Sequence, residues 1–171
     1  MGGTRFKGLT FLVFSFLLLG MTQCTRKAVD LPKDLLGIYI GMNREDAQKR
    51  LEEIATLESE ARKTGQLWRL KDNPHFSHIA IDYNKENKVR YVTTLVEKVG
   101  AKERVRFTDV GDLAKAKAEI LEPHYRYIWQ VPADGERESY HVNVYGDNPE
   151  FVTIYTLEGK SDEEKPKEKS K

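Results

Sequence analysis

A chain of 171 residues is long enough for one domain with its own core. Its 39% hydrophobic and 32% charged residues describe a globular body with a solvated surface, not a multi-span membrane protein. Lys and Arg total 28 against 27 Asp and Glu, so charge gives no reason to expect nucleic-acid binding; the single cysteine excludes an internal disulfide framework and a multi-thiolate zinc site.

Arg5 and Lys7 precede an apolar run from Leu9 to Gly20, the layout of a secretory signal. The run is shorter than the roughly 20 apolar residues of a spanning helix. It ends at Met21-Thr22-Gln23-Cys24, and the sole cysteine of the chain stands at its close. This segment resembles the lipobox of bacterial lipoproteins, with Gln23 and Met21 standing where a small residue and Leu are usual. The resemblance implies a signal peptide over 1–23, acylation of Cys24, and a protein anchored by lipid in the cell envelope, with the outer membrane as its destination. Without 1–23 the chain keeps 26 basic and 27 acidic residues, because Arg5 and Lys7 are the only charges lost. Such a surface has no polybasic attraction to anionic lipid, so the lipid would anchor alone. A conventional signal peptide with an incidental cysteine, or a retained anchor, is the alternative reading.

Residues 24–34 are polar, contain Pro32 and lack periodicity, so they read as a tether. The body spans 35–157. Its first element is a helix: Asn43 is a good N-cap, and Glu45 and Asp46 suit the positive end of the helix dipole. Ala47, Leu51, Ile54 and Ala61 keep one face, and Gly65 is a stop signal. Three strands are predicted next, over Leu67–Leu70, Phe76–Tyr83 and Val89–Val96, the last two joined through the loop Asn84-Lys-Glu-Asn-Lys88. A second helix is predicted from Asp109 to Glu122, with Leu113, Ala116, Ile120 and Leu121 inward and Pro123 as its end. Strands over Tyr125–Val131, Ser139–Tyr145 and Phe151–Leu157 follow. Residues 158–171 are charged, without aromatic or β-branched residues, and read as a disordered tail.

The order helix, strand, strand, strand thus occurs twice, with Trp68 and Trp129, and Tyr83 and Tyr145, about one unit apart, which suggests repeats over 37–98 and 107–157. The segment Gly37-Ile-Tyr-Ile-Gly-Met-Asn-Arg-Glu-Asp-Ala-Gln-Lys-Arg-Leu51 resembles the opening of the SmpA/OmlA (BamE-like) small lipoproteins, where a Gly-Met-Ser/Thr segment starts a helix. Ala47 stands where that family usually has Val, and the Leu-Gly-x-Pro that commonly follows is missing. A related tandem arrangement occurs in β-lactamase-inhibitor-protein-like folds. The expected fold is therefore α+β: two helix-plus-three-strand antiparallel units sharing or extending one sheet, with the helices on one face. Alternation supports a two-faced sheet, since Ile79, Ile81 and Tyr83 oppose His78, Ala80 and Asp82.

Catalytic chemistry finds little support. His75 and His78 are three apart, which places them on opposite faces of a strand, and His124 and His141 have no companions at ligand spacing. There is no nucleophile elbow, phosphate loop or dinucleotide fingerprint, and an acylated Cys24 has no thiolate to offer. No catalytic residue, metal or cofactor is assigned. The remaining candidates are Tyr125, Tyr127 and Trp129, which alternate onto one strand face as either a protein-binding surface or the core of the second unit. The expected function is a lipid-anchored envelope protein that binds another envelope protein through its sheet face. The alternative is an envelope hydrolase or small-ligand carrier with a pocket between helix and sheet.

Overall fold

The computed structural model describes residues 30–61, 65–96, 104–135 and 137–160. The signal segment, Cys24 and most of the charged tail lie outside them. The first described residues run into a tight turn, in which Leu35 and Ile38 bridge each other and Gly37 takes a positive φ of 85°. Gly41, at φ 87°, then turns the chain so that its N–H reaches the Val89 carbonyl. Helix α1, Arg44–Ile54, follows with Glu45 and Asp46 in its first turn and with Ala47 and Leu51 buried.

The helix stops at Ile54, eleven residues before the expected Gly65. Ala55 turns extended, and the chain passes directly into strand β1, Ala55–Ala61. Ala55 pairs with Leu70 and Leu57 with Trp68, so sheet pairing overrides the helical spacing of Ile54 and Ala61. Strands β2 (Gly65–Leu70), β3 (Phe76–Tyr83) and β4 (Val89–Val96) complete an antiparallel meander, β3 and β4 over the ranges expected from the sequence.

The second half departs further from expectation. The predicted helix from Asp109 to Glu122 is replaced by one turn of helix α2 (Phe107–Val110), a 3-10 turn (Leu113–Lys115) and strand β5 (Lys117–Leu121). Gly111 is the break. Its Cα lies so close to Leu31 and Trp129 that an added Cβ would stand 2.7 Å from Leu31 Cδ2. Trp129 Nε1 donates to the Asp112 carbonyl at 2.9 Å, engaging an acceptor that a continuous helix would offer to Ala116. Ala116 instead donates to Leu113. Ile120 and Leu121, expected inward, are 55% and 76% exposed. Strands β6 (His124–Val131), β7 (Tyr140–Gly146) and β8 (Ile154–Gly159) follow, the last reaching two residues into the segment expected as tail.

All eight strands form one antiparallel sheet in the order β1-β2-β3-β4-β8-β7-β6-β5. Two four-stranded meanders thus meet through their last strands. The expected α+β class with two helix-plus-three-strand units is corrected: the protein is predominantly β, with two short helices against one broad sheet.

The core lies on the helix side. Cross-strand partners Trp68, Ile79, Thr94, Tyr155 and Val144 form one buried row, and Ile81, Val92, Leu157, Val142 and Trp129 form the next. Leu51 of α1 and Phe107 of α2 close over these rows and are themselves buried. The start of the described chain joins them: Leu31 packs near Trp129, and Tyr140 Oη donates to the Pro32 carbonyl at 2.9 Å.

Candidate functional site: the open face of the sheet

Alternation sends every second residue to the opposite face, which no described element covers. One row crosses seven strands through successive partners: Leu67, Ala80, Thr93, Thr156, Asn143, Ile128 and Lys117. The adjacent row runs Arg69, His78, Leu95, Ile154, Tyr145, Arg126 and Glu119, and a third carries Asp82, Tyr91, Glu158, His141 and Gln130. The sheet interior on this side is therefore apolar and hydroxylic. Leu95 stands 40% exposed there, whereas Thr156 is nearly buried and shares a 2.6 Å hydrogen bond with Thr93.

Several charges on this face are paired and sit towards its margins. Arg90 donates through Nη2 and Nε to Asp82 at 2.6 and 3.1 Å. Glu58, displaced by a bulge in β1, takes Arg69 and, at 3.1 Å, His78 Nε2. Glu119 joins Lys117 at 2.7 Å and Arg126 at 3.1 Å, and these two cations hold its carboxyl below the usual carboxylate range, the Lys117 hydrogen bond contributing most. Arg126 also donates to Asn143 Oδ1 at 2.9 Å. His124 stacks on Tyr145 with ring centres 5.6 Å apart and a ring nitrogen hydrogen-bonded to its hydroxyl. A centre of mixed apolar and hydroxyl side chains with paired charges towards its rim is compatible with a protein–protein contact surface.

The aromatic residues singled out from the sequence lie on the other face. Trp129 is buried, with its indole N–H satisfied by Asp112. Tyr127 meets Phe107 edge-on at 4.9 Å, and Tyr125, opposite Gly146, is half-buried at the margin of the same cluster. Burial raises the Tyr125 phenol above its ordinary pKa, with Glu122 adding to the rise. Among these three, only the tyrosines keep accessible surface, and it is on the helix side. Of the open-face residues, alternation in β3 already separates Ala80 from the core set, and alternation in the second half opposes Ile128 to Tyr127 and Trp129, whereas Leu67 and Leu95 carry no such signal. The four histidines do not converge, and among the described residues no three His, Cys, Asp or Glu side chains are grouped to hold a metal. Nor is any described helix long and apolar enough to cross a membrane.

No family model, curated protein or solved structure matches this chain.

Proposed function

We propose that this is a lipid-anchored envelope protein of the BamE-like kind that binds another envelope protein through the open face of its sheet. The observation that carries the reading is the uncovered row from Leu67 to Ile128, in which Leu67, Ala80 and Ile128 flank Thr93, Thr156 and Asn143, with Leu95 and Ile154 beside it and charge pairs towards its borders. A second feature supports its orientation. The described chain starts on the covered face, where Leu31 and Pro32 are held, and five residues lie between Cys24 and Asp30. The six Cα steps from Cys24 to Asp30 reach about 22 Å at most, so an anchor at Cys24 draws the helix side towards the bilayer and leaves the open face turned away.

Leu95→Arg in the full-length protein tests the contact. The expected result is an unchanged melting temperature with loss of a specific crosslinked partner in intact envelopes; a residue this exposed costs roughly 0.5 kcal/mol or less in stability. Retention of the same crosslink in both Leu95→Arg and Ile154→Arg would overturn the reading. The anchor is tested separately by Cys24→Ser, which should abolish lipid labelling because no other thiol exists to accept the acyl-glycerol group.

A further inference from the structure

The two edges of the sheet are built differently. At one edge, β1 carries a register shift between Leu57 and Ser59, and its charged residues are the two acids Glu58 and Glu60. Glu58 holds Arg69 and His78, and Glu60 accepts from Gln66 at 3.2 Å. A bulge and two like charges blunt an edge against a second copy of itself, because a kinked ladder fits no regular strand and acid would meet acid. At the other edge, β5 has neither device. Its five residues pair with β6 without a register shift, all are exposed, and no described strand lies on its outer side. Ala116, just before it, is already extended. An edge strand directs the N–H and C=O of every second residue away from its sheet, so this segment offers an unused ladder.

The side chains select an occupant. Ala118 and Ile120 lie on the helix side, opposite Tyr127 and Tyr125, and Ala116 shares their parity. Ile120 is 55% exposed there. Lys117 and Glu119 lie on the open side, opposite Ile128 and Arg126. A second copy related by a two-fold axis normal to the sheet keeps the faces matched, and few registers are then available. Centred on Lys117 or on Glu119, the pair sets like charges directly opposite each other, which is destabilising. Centred on Ile120, it sets Glu119 against the partner's Leu121. Centred on Ala118, it sets Lys117 against the partner's Glu119 twice and Ala116 against the partner's Ile120 twice. Charge then meets opposite charge on the open side, and apolar meets apolar on the other. Lys117, which meets Glu119 at 2.7 Å within the single chain, exchanges that acid for its copy, while Arg126 at 3.1 Å stays with its own Glu119.

We propose that two copies of this chain pair antiparallel through β5, about a two-fold axis at Ala118, so that their sheets run on into each other. The isologous contact closes at two copies, whereas β1 against β5 would continue into an open chain of subunits. The axis normal to the sheet turns both open faces the same way. Under the anchoring proposed above, both copies then face one bilayer, although the pairing itself does not depend on that anchor.

The experiment is sedimentation of the full chain carrying Cys24→Ser in mild detergent, so that neither the lipid nor its thiol enters the result. A contact of one short strand predicts a dissociable dimer, its average mass rising between about 1 μM and 1 mM. Lys117→Glu and Glu119→Lys should each weaken self-association about tenfold or more, since each sets like charges opposite twice. Mixing the two variants should restore dimers, because acids at 117 and 119 of one chain then meet bases at 119 and 117 of the other; a purely intrachain role for these residues predicts no such rescue. Ala118→Cys should form a disulfide-linked dimer under mild oxidation, with its Cα atoms about 4.5–5.5 Å apart across the axis, and Glu60→Cys on β1 should not. Leu95→Arg should leave the dimer intact, which separates this edge from the open-face contact. A chain that stays monomeric throughout that range, mixed variants that fail to associate, a dimer lost with Leu95→Arg, or Glu60→Cys crosslinking as readily as Ala118→Cys overturns the proposal.

Discussion

The two meanders carry similar strands but are covered in different ways. The first is roofed by an 11-residue helix that presents small and medium side chains, Ala47 and Leu51, to the sheet. The second has a four-residue helix, and bulk replaces length: Phe107 is buried against Tyr127, Tyr127 tilts towards Trp129 at 6.3 Å, and Leu31 fills in from the start of the chain. A sheet face can therefore be closed either by a helix with a periodic apolar stripe or by a few large rings, because what must be removed from water is area rather than any particular element. The open side shows no such contrast: the first meander contributes Leu67, Ala80 and Leu95 beside Arg69 and His78, and the second Ile128 and Ile154 beside Asn143, Arg126 and Tyr145.

If a few rings replace a helix, each ring should matter more than each helical side chain. Phe107→Ala should cost about 3–5 kcal/mol, through the cavity and the lost edge-on contact with Tyr127. Leu51→Ala should fall within or below about 2–5 kcal/mol, since neighbours along α1 can close part of the gap. Denaturant melts of both variants compare them directly; a larger loss for Leu51→Ala would break the contrast.

Alkaline titration probes the join between the halves. Tyr155 on β8 has its phenol pushed well above the ordinary value, first by burial and then by nearby Tyr140 and Asp34. Burial also raises Tyr83 in the first half and Tyr140 in the second. A raised phenol pKa means that the native state holds its proton after the unfolded chain has released it. Stability from this source is complete below pH of about 10 and declines as pH rises beyond it. Tyr155→Phe should flatten that decline more than Tyr83→Phe or Tyr140→Phe, as read from unfolding free energies between neutral and strongly alkaline buffer.

The smallest effect separates two equivalent-looking tyrosines. Tyr140 Oη donates to Pro32, whereas Tyr83 Oη is buried without a partner among the described residues and its ring lies 5.0 Å from the Arg44 guanidinium. Tyr140→Phe should cost about 1 kcal/mol, and Tyr83→Phe should be neutral or slightly stabilising, because it removes a hydroxyl that burial strips of water. Equal losses in both variants would show that the chain start contributes nothing to the second half.

Much of this architecture is written in local patterns. The strand-like runs on either side of the Asn84–Lys88 loop located β3 and β4 to the residue, and the acidic first turn after Asn43 located the start of α1. Alternation defines two faces without saying which is covered, so it could not decide that Tyr127 and Trp129 face the core while Ile128 and Asn143 face outward. That choice was made by Phe107, Leu31 and the Asp112 carbonyl, partners distant in sequence. The segment from Asp109 to Leu121 carried a helical spacing of apolar residues that is equally readable as turn and strand. Tertiary contacts settled it, since Gly111 packs against Leu31 and Trp129 too closely for a side chain, Trp129 takes the Asp112 carbonyl, and β6 offers a strand's worth of hydrogen bonds to Lys117–Leu121. Local periodicity therefore determined where the chain could alternate, and long-range packing determined which side of that alternation was removed from water.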